Sequence, residues 1–193
     1  MSKRLALLVV VLALTAACRD QPTSHLNRLS AAISDGASGG NAHFYFLPPM
    51  VPNPGPGAGN DETQSPVVEI CELDSLTLLC GAILATYTMD LGTTTTTQPG
   101  NSETVRLGDA HFIVNWHTED FALDPALTYR ICVKLNDVEL GFADVDVVAS
   151  GRELRFVADG YVGILDGRTL PIRFRIEPGA LDVGGGNCGG QPV

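Results

Sequence analysis

The chain is 193 residues long, 45% hydrophobic and 18% charged, with 12 basic against 22 acidic side chains and a formal net charge of −10. That length supports one domain with its own core, and the acidic balance excludes a surface that draws nucleic acid or anionic lipid headgroups by charge. Five cysteines make their pairing the first question of chemistry.

At the start, Lys3 and Arg4 precede an apolar run from Leu5 to Leu14, and Thr15, Ala16 and Ala17 lead into Cys18. The run is too short to cross a bilayer as a permanent helix, so residues 1–17 read as an export signal. Basic, apolar, small, cysteine resembles the lipobox of bacterial lipoproteins, with Thr15 where that family carries leucine or another aliphatic residue. The resemblance implies cleavage before Cys18, lipid on its thiol and anchoring to the cell envelope. Arg19, in place of the aspartate that holds enteric lipoproteins at the inner membrane, implies the outer membrane of a Gram-negative cell. Ordinary secretion with cleavage after Ala17 is the alternative, and both routes take the mature chain out of the cytoplasm. Removal of Lys3 and Arg4 leaves a formal charge of −12, so acyl chains and not charge must do the anchoring.

Residues 18–41 are rich in serine, alanine and glycine and read as a flexible tether. Within it, Gly36 to Gly40 match the G-x-S-x-G pattern of hydrolase nucleophile elbows, but neither flank supplies the strand and helix that the elbow needs. From His43 the apolar period is two, which predicts an all-β domain over residues 42–179. Its strands are expected at His43–Leu47, Val67–Leu73, Ala82–Met89 and Glu103–Leu107, with Thr93–Thr97 as a surface loop. In His111–His117, Phe112, Val114 and Trp116 share the inward face. Tyr129, Ile131, Val133 and Leu135 alternate with Arg130, Cys132 and Lys134, and Asn136–Asp137 form a tight turn into Val138. Val138, Leu140 and Phe142 have one parity and Val145 and Val147 the other, which predicts a β-bulge near Ala143. A last hairpin is expected from Tyr161–Leu165, a turn at Asp166–Gly167, and Leu170–Glu177, with Pro171 marking an edge strand or strand start. Residues 180–193 form a glycine-rich tail.

With Cys18 assigned to lipid, Cys71, Cys80, Cys132 and Cys188 remain, an even set for an oxidising compartment. They admit three connectivities. Cys71 with Cys80 closes a hairpin-sized loop and Cys132 with Cys188 pins the tail, and this pairing is the favoured one. Leu123, Pro125 and Tyr129 sit as L-x-P-x-x-x-Y before a core strand, a spacing that resembles the tyrosine corner of fibronectin type III and other immunoglobulin-like sandwiches. The resemblance implies a β-sandwich of that class, extended by the C-terminal hairpin. Asn115–Thr118, Leu140–Val148 and Gly167–Glu177 also resemble blocks of an uncharacterised β-sandwich domain of exported proteins in environmental bacteria, over roughly His43 to Glu177. That family brings no reaction, cofactor or catalytic residue with it.

The chemistry-bearing residues do not converge in the sequence. His111 and His117 share a strand face, but at about 3.3 Å per residue they stand roughly 20 Å apart and cannot share one zinc. Asp144 and Asp146, with Asp159 and Asp166 in nearby turns, are the weak calcium candidates, though calcium takes six to eight oxygens. Trp116, His117, Glu119 and Asp120 suggest a carbohydrate site, yet Trp116 has inward parity. No cofactor motif is present. The reading is a lipid-anchored envelope module with a binding or structural role and no catalysis, its partner an envelope protein or glycan and not nucleic acid. The alternative is an envelope enzyme or carbohydrate-binding protein acting on glycan or peptide.

Overall fold

A computed structural model describes residues 32–89, 103–183 and Cys188. The signal segment, Cys18 and Thr93–Thr97 lie outside the described residues. In chain order the strands are β1 (Ile33–Ser34), β2 (Phe44–Phe46), β3 (Val67–Leu73), β4 (Cys80–Tyr87), β5 (Arg106–Leu107), β6 (Phe112–His117), β7 (Thr128–Leu135), β8 (Val138–Val148), β9 (Val162–Leu165) and β10 (Thr169–Ile176). They build two sheets, one ordered β1-β8-β7-β3-β4 with β9 also along β8, the other β2-β10-β6-β5. Pairing is antiparallel except between β8 and β9. The protein is an all-β, two-sheet sandwich.

Period-two alternation builds the layer between the sheets. Phe112, Val114 and Trp116 of β6 are fully buried while Ile113, Asn115 and His117 are half-exposed. Opposite them in register stand Leu170, Ile172 and Phe174 of β10, and the Phe112 and Phe174 rings stack at 5.6 Å. Val68 and Ile70 of β3, Ile131 and Val133 of β7, and Val145 and Val147 of β8 complete the same cluster from the other sheet. Each of these side chains gains about 1.5–3 kcal/mol on leaving water. Trp116 lies between Phe121 and Tyr129, at 6.4 and 6.1 Å between centroids, and is core rather than a ligand platform.

Asn136 and Asp137 form the expected turn, with φ of 51° and 62°, the left-handed pair that a two-residue hairpin loop requires. The Tyr129 hydroxyl folds back on the chain, accepting from the Asp124 N–H at 2.7 Å and lying 3.4 Å from the Asp124 carbonyl. Leu123 packs on the core beside it and Pro125 is exposed. Pro171 lies inside β10, but β2 pairs only Phe174 to Ile176, so at Pro171 the side facing away from β6 needs no N–H.

Four expectations need correction. The folded domain begins before residue 42: β1 pairs Ile33 and Ser34 with Ala143 and Phe142, so only the earlier part of residues 18–41 remains as a candidate tether. Buried Asp35 accepts N–H bonds from Ser38 and Phe46, and buried Asn41 donates to the Ala180 carbonyl, so these polar residues anchor the chain. Gly36 packs under the Tyr45 ring, where a Cβ would lie 2.6 Å from Cε1, and the G-x-S-x-G run is a short 3₁₀ turn. Second, the bulge falls at Leu140, not near Ala143: Val133 faces Gly141 and Lys134 faces Glu139, leaving Leu140 unopposed. A Cβ on Gly141 would collide with the Ser34 carbonyl and the Phe44 ring, and Phe142 is turned to the outer face. Third, β9 and β10 do not form a hairpin. The turn at Asp166–Gly167 exists, but β9 joins β8 in one sheet and β10 joins β6 and β2 in the other. Fourth, the strand expected at Ala82–Met89 runs over Cys80–Tyr87, and that at Glu103–Leu107 shrinks to Arg106–Leu107.

Two core tyrosines carry a pH consequence. Burial pushes the Tyr87 phenol far up, aided by the negative charges of Asp120 and Glu103, and its hydroxyl has no hydrogen-bond partner among the described residues. Burial also raises Tyr129, against the lowering effect of its bond from the Asp124 backbone. A pKa higher in the folded than in the unfolded chain means that stability is fully present below the ordinary tyrosine pKa and lost as pH rises through the folded value. Alkaline titration followed at the phenolate absorbance is therefore expected to show Tyr87 ionising only together with unfolding and Tyr129 ionising above the ordinary tyrosine value. Their ionisation at the ordinary value in a chain still folded by circular dichroism would contradict this.

Candidate binding cleft

The outer face of the first sheet is covered over Arg130 and Cys132. Cys71 pairs with Cys80 and Cys132 with Cys188, with Cα separations of 5.5 and 6.0 Å, and the Cys80 and Cys132 sulfurs are 3.9 Å apart. Beside them Arg130, 1% exposed, grips Asp144, with Nε 2.6 Å from Oδ1 and Nη2 3.0 Å from Oδ2. Its Nη1 donates to the Leu78 carbonyl, and the guanidinium stacks 3.8 Å over Phe142. Burial pushes the Asp144 carboxyl up, and the Arg130 bonds and charge pull it back. Asp144 is thus held by a guanidinium and is not open to calcium, which corrects that candidate. Asp146 accepts from the Thr128 hydroxyl at 2.9 Å. Among the described residues no group of three or more acidic, histidine or cysteine side chains gathers as for a metal.

The outer face of the second sheet carries more open chemistry. At one end β10 and β6 place Thr169 opposite His117. The Thr169 hydroxyl lies 2.9 Å from His117 Nδ1, and Nε2 lies 3.2 Å from Glu103 Oε1. With Nε2–H donating to the carboxylate, Nδ1 accepts from the hydroxyl. Exposed Glu119 approaches the same Nδ1 at 3.6 Å, while Asp120 is exposed alongside. This row joins residues 52 apart and had no local signal.

At the other end of β10, Arg173 and Arg175 lie on the same outward face and floor a cleft of about 510 Å³. The loop after β2 forms one wall, with Pro48, Gly55 and Pro56, and Asp109, Ala110 and His111 form the other. Arg175 is committed to holding the first wall: Nε bonds Glu177 Oε1 at 2.9 Å and Nη1 donates to the Gly55 carbonyl at 2.9 Å. The same Glu177 oxygen accepts from the Ala58 N–H, and Arg175 packs over the Tyr45 ring at 4.9 Å. Gly57, at φ 55°, passes so close that a Cβ would collide with Glu177 and Arg175. Only glycine lets the loop close there. Arg173 is exposed, and its side chain makes no hydrogen bond or ion pair among the described residues. His111 donates Nδ1–H to the Asp109 carbonyl at 2.6 Å, which leaves Nε2 for another partner. Both arginines alternate with Ile172, Phe174 and Ile176 and so have outward parity in the sequence, but parity gives no sign of the walls, since Arg175 and Gly55 are 120 residues apart.

A smaller cleft of about 360 Å³ lies against β8, where Phe156, 78% exposed, stands with Leu127, Asp146 and Glu153. Comparison with protein-family models, curated proteins and solved structures finds no match to this chain.

Proposed function

We propose that this protein is a lipid-anchored module of the cell envelope that binds a ligand and does no chemistry on it, on an immunoglobulin-like or fibronectin type III-like sandwich. The observation that carries the binding role is the cleft over β10, whose wall is fixed by the Arg175–Glu177 pair while Arg173 beside it has a spare guanidinium. A preformed concavity with a few convergent polar groups on a rigid body is the usual form of a small-molecule site. The immunoglobulin-like assignment is supported by the Tyr129–Asp124 corner. Export is supported by the lipobox-like run ending at Cys18 and by two disulfides, which suit an oxidising compartment.

The test of the anchor is fractionation of a Gram-negative host. The wild-type chain is expected in the membrane fraction with added acyl mass on Cys18, and Cys18→Ala in the soluble periplasm. A wild-type protein already soluble, with an unmodified N-terminus, overturns the anchor. The Glu103–His117–Thr169 row favours a second reading, an envelope enzyme with Thr169 as nucleophile, His117 as base and Glu103 orienting it. Mass added to Thr169 by a fluorophosphonate probe is the observation on which that reading stands or falls.

A further inference from the structure

We infer that the cleft over β10 takes a small organic carboxylate, with Arg173 as the residue that grips it. This deepens the proposed binding role and rests on that reading. The floor holds two guanidinium groups, two residues apart on one strand face. One of them, Arg175, is 7% exposed and neutralised by Glu177. The charge available to a ligand is therefore that of Arg173, a planar fork of donors that matches a carboxylate with two parallel bonds. His111 on the opposite wall donates its Nδ1–H to the Asp109 carbonyl, so its Nε2 is an acceptor in that tautomer and the grip on the carboxylate falls to Arg173. Between them Leu47, Pro48, Pro56 and Ala110 suit an apolar body of ring size, and a cleft of about 510 Å³ has room for it.

The opposing effects are visible. Asp109 also lines the cleft, and the chain as a whole carries −10. At physiological ionic strength charges beyond about 8 Å are largely screened, so the local cation decides and the distant acids do not. Asp109 repels each negative charge that a ligand brings, and Arg173 is the one open cation to offset it, so a flat, singly charged head that matches the guanidinium fork is favoured over a phosphate.

The probe is benzoate, compared with benzamide, which has the same shape and no charge. Saturation-transfer NMR uses the full chain produced with Cys18→Ala, which is soluble whether or not the wild-type protein is anchored. A failure of the anchor and a failure of the cleft are thereby separate results. Benzoate is expected to be saturated, with benzamide roughly tenfold weaker, as for loss of a charge-assisted pair. Arg173→Gln, at an exposed position, is expected to weaken benzoate about tenfold with an unchanged thermal midpoint. Equal binding of benzoate and benzamide on the unaltered protein overturns the inference whatever the variant does. So does a folded Arg173→Gln chain that binds benzoate undiminished, or inorganic phosphate displacing benzoate at equal concentration.

Discussion

Asp144→Ala is expected to lower folding stability by about 3–5 kcal/mol, the largest loss from any single side chain outside the aromatic core. Arg130 and Asp144 are 1% and 2% exposed, so removing the carboxylate leaves a guanidinium that water cannot reach. Its remaining partners, the Leu78 carbonyl and the face of Phe142, supply one hydrogen bond and a cation–π contact, not a counter-charge. The intact pair need not stabilise the fold by anything like that amount. Burial already pushes the Asp144 carboxyl up against the pull of Arg130, a sign that desolvation takes back much of what the ion pair gains. The double variant Arg130→Met, Asp144→Leu removes both charges and should recover most of the loss. Urea unfolding with both disulfides intact measures all three chains. A cost for Asp144→Ala below about 1 kcal/mol would mean that the pair is hydrated in solution.

That pair also marks where the sequence stops being legible. Period two identified β6, β7 and β10 and their inward residues because each strand alternates one apolar face with one polar face. The same rule sets Arg130, Cys132 and Lys134 on the face of β7 that turns away from this core. Parity tells which side of a sheet a residue takes, not whether something covers that side. Cys188 and the hairpin loop carrying Leu78 cover it, and both act from outside the strands they bury. The strand β1 was missed for a related reason. Ile33 is the one large apolar side chain in a run of small and polar residues from Ser30 to Asn41, and Asp35 and Asn41 look like linker residues until their N–H and carbonyl partners are known.

Long-range pairing explains the other departures. Asp166 and Gly167 give a correct turn signal, but a turn fixes only a reversal of direction. Which sheet receives the next strand depends on partners as distant as Asn115 and Tyr45, and the local pattern favours the simpler hairpin. The bulge was legible as a parity change between Leu140 and Val145. Its position was not, because the crowding of Gly141 by Ser34 and Phe44 comes from chain about a hundred residues away. The cleft is the extreme case. Both arginines have the same outward parity, yet their difference, one committed and one open, is set by Gly55, Ala58 and Glu177.

Replacing both Cys132 and Cys188 by alanine is expected to cost about 4 kcal/mol, against about 2.5–3 kcal/mol for Cys71→Ala with Cys80→Ala. The sequence separations are 56 and 9 residues, and in the chain-entropy model the longer loop removes more freedom from the unfolded chain. Packing acts in the same direction. The Cys188 carbonyl accepts from the Cys80 N–H at 3.2 Å, and Cys188 joins Cys132 and Phe142 in the small cluster on the outer face. Losing the long bridge therefore releases Cys188 and uncovers the Phe142 ring on which Arg130 stacks, whereas losing the short one loosens only the β3–β4 hairpin. Double replacement avoids a stray thiol beside the other bridge. Denaturant unfolding of the two variants gives the order directly, and peptide mapping without reductant should find Cys71 joined to Cys80 in the wild-type chain. If the short bridge proved the more costly to remove, Cys188 would not be what covers this part of the outer face, and the burial of Arg130 and Asp144 would need another cause.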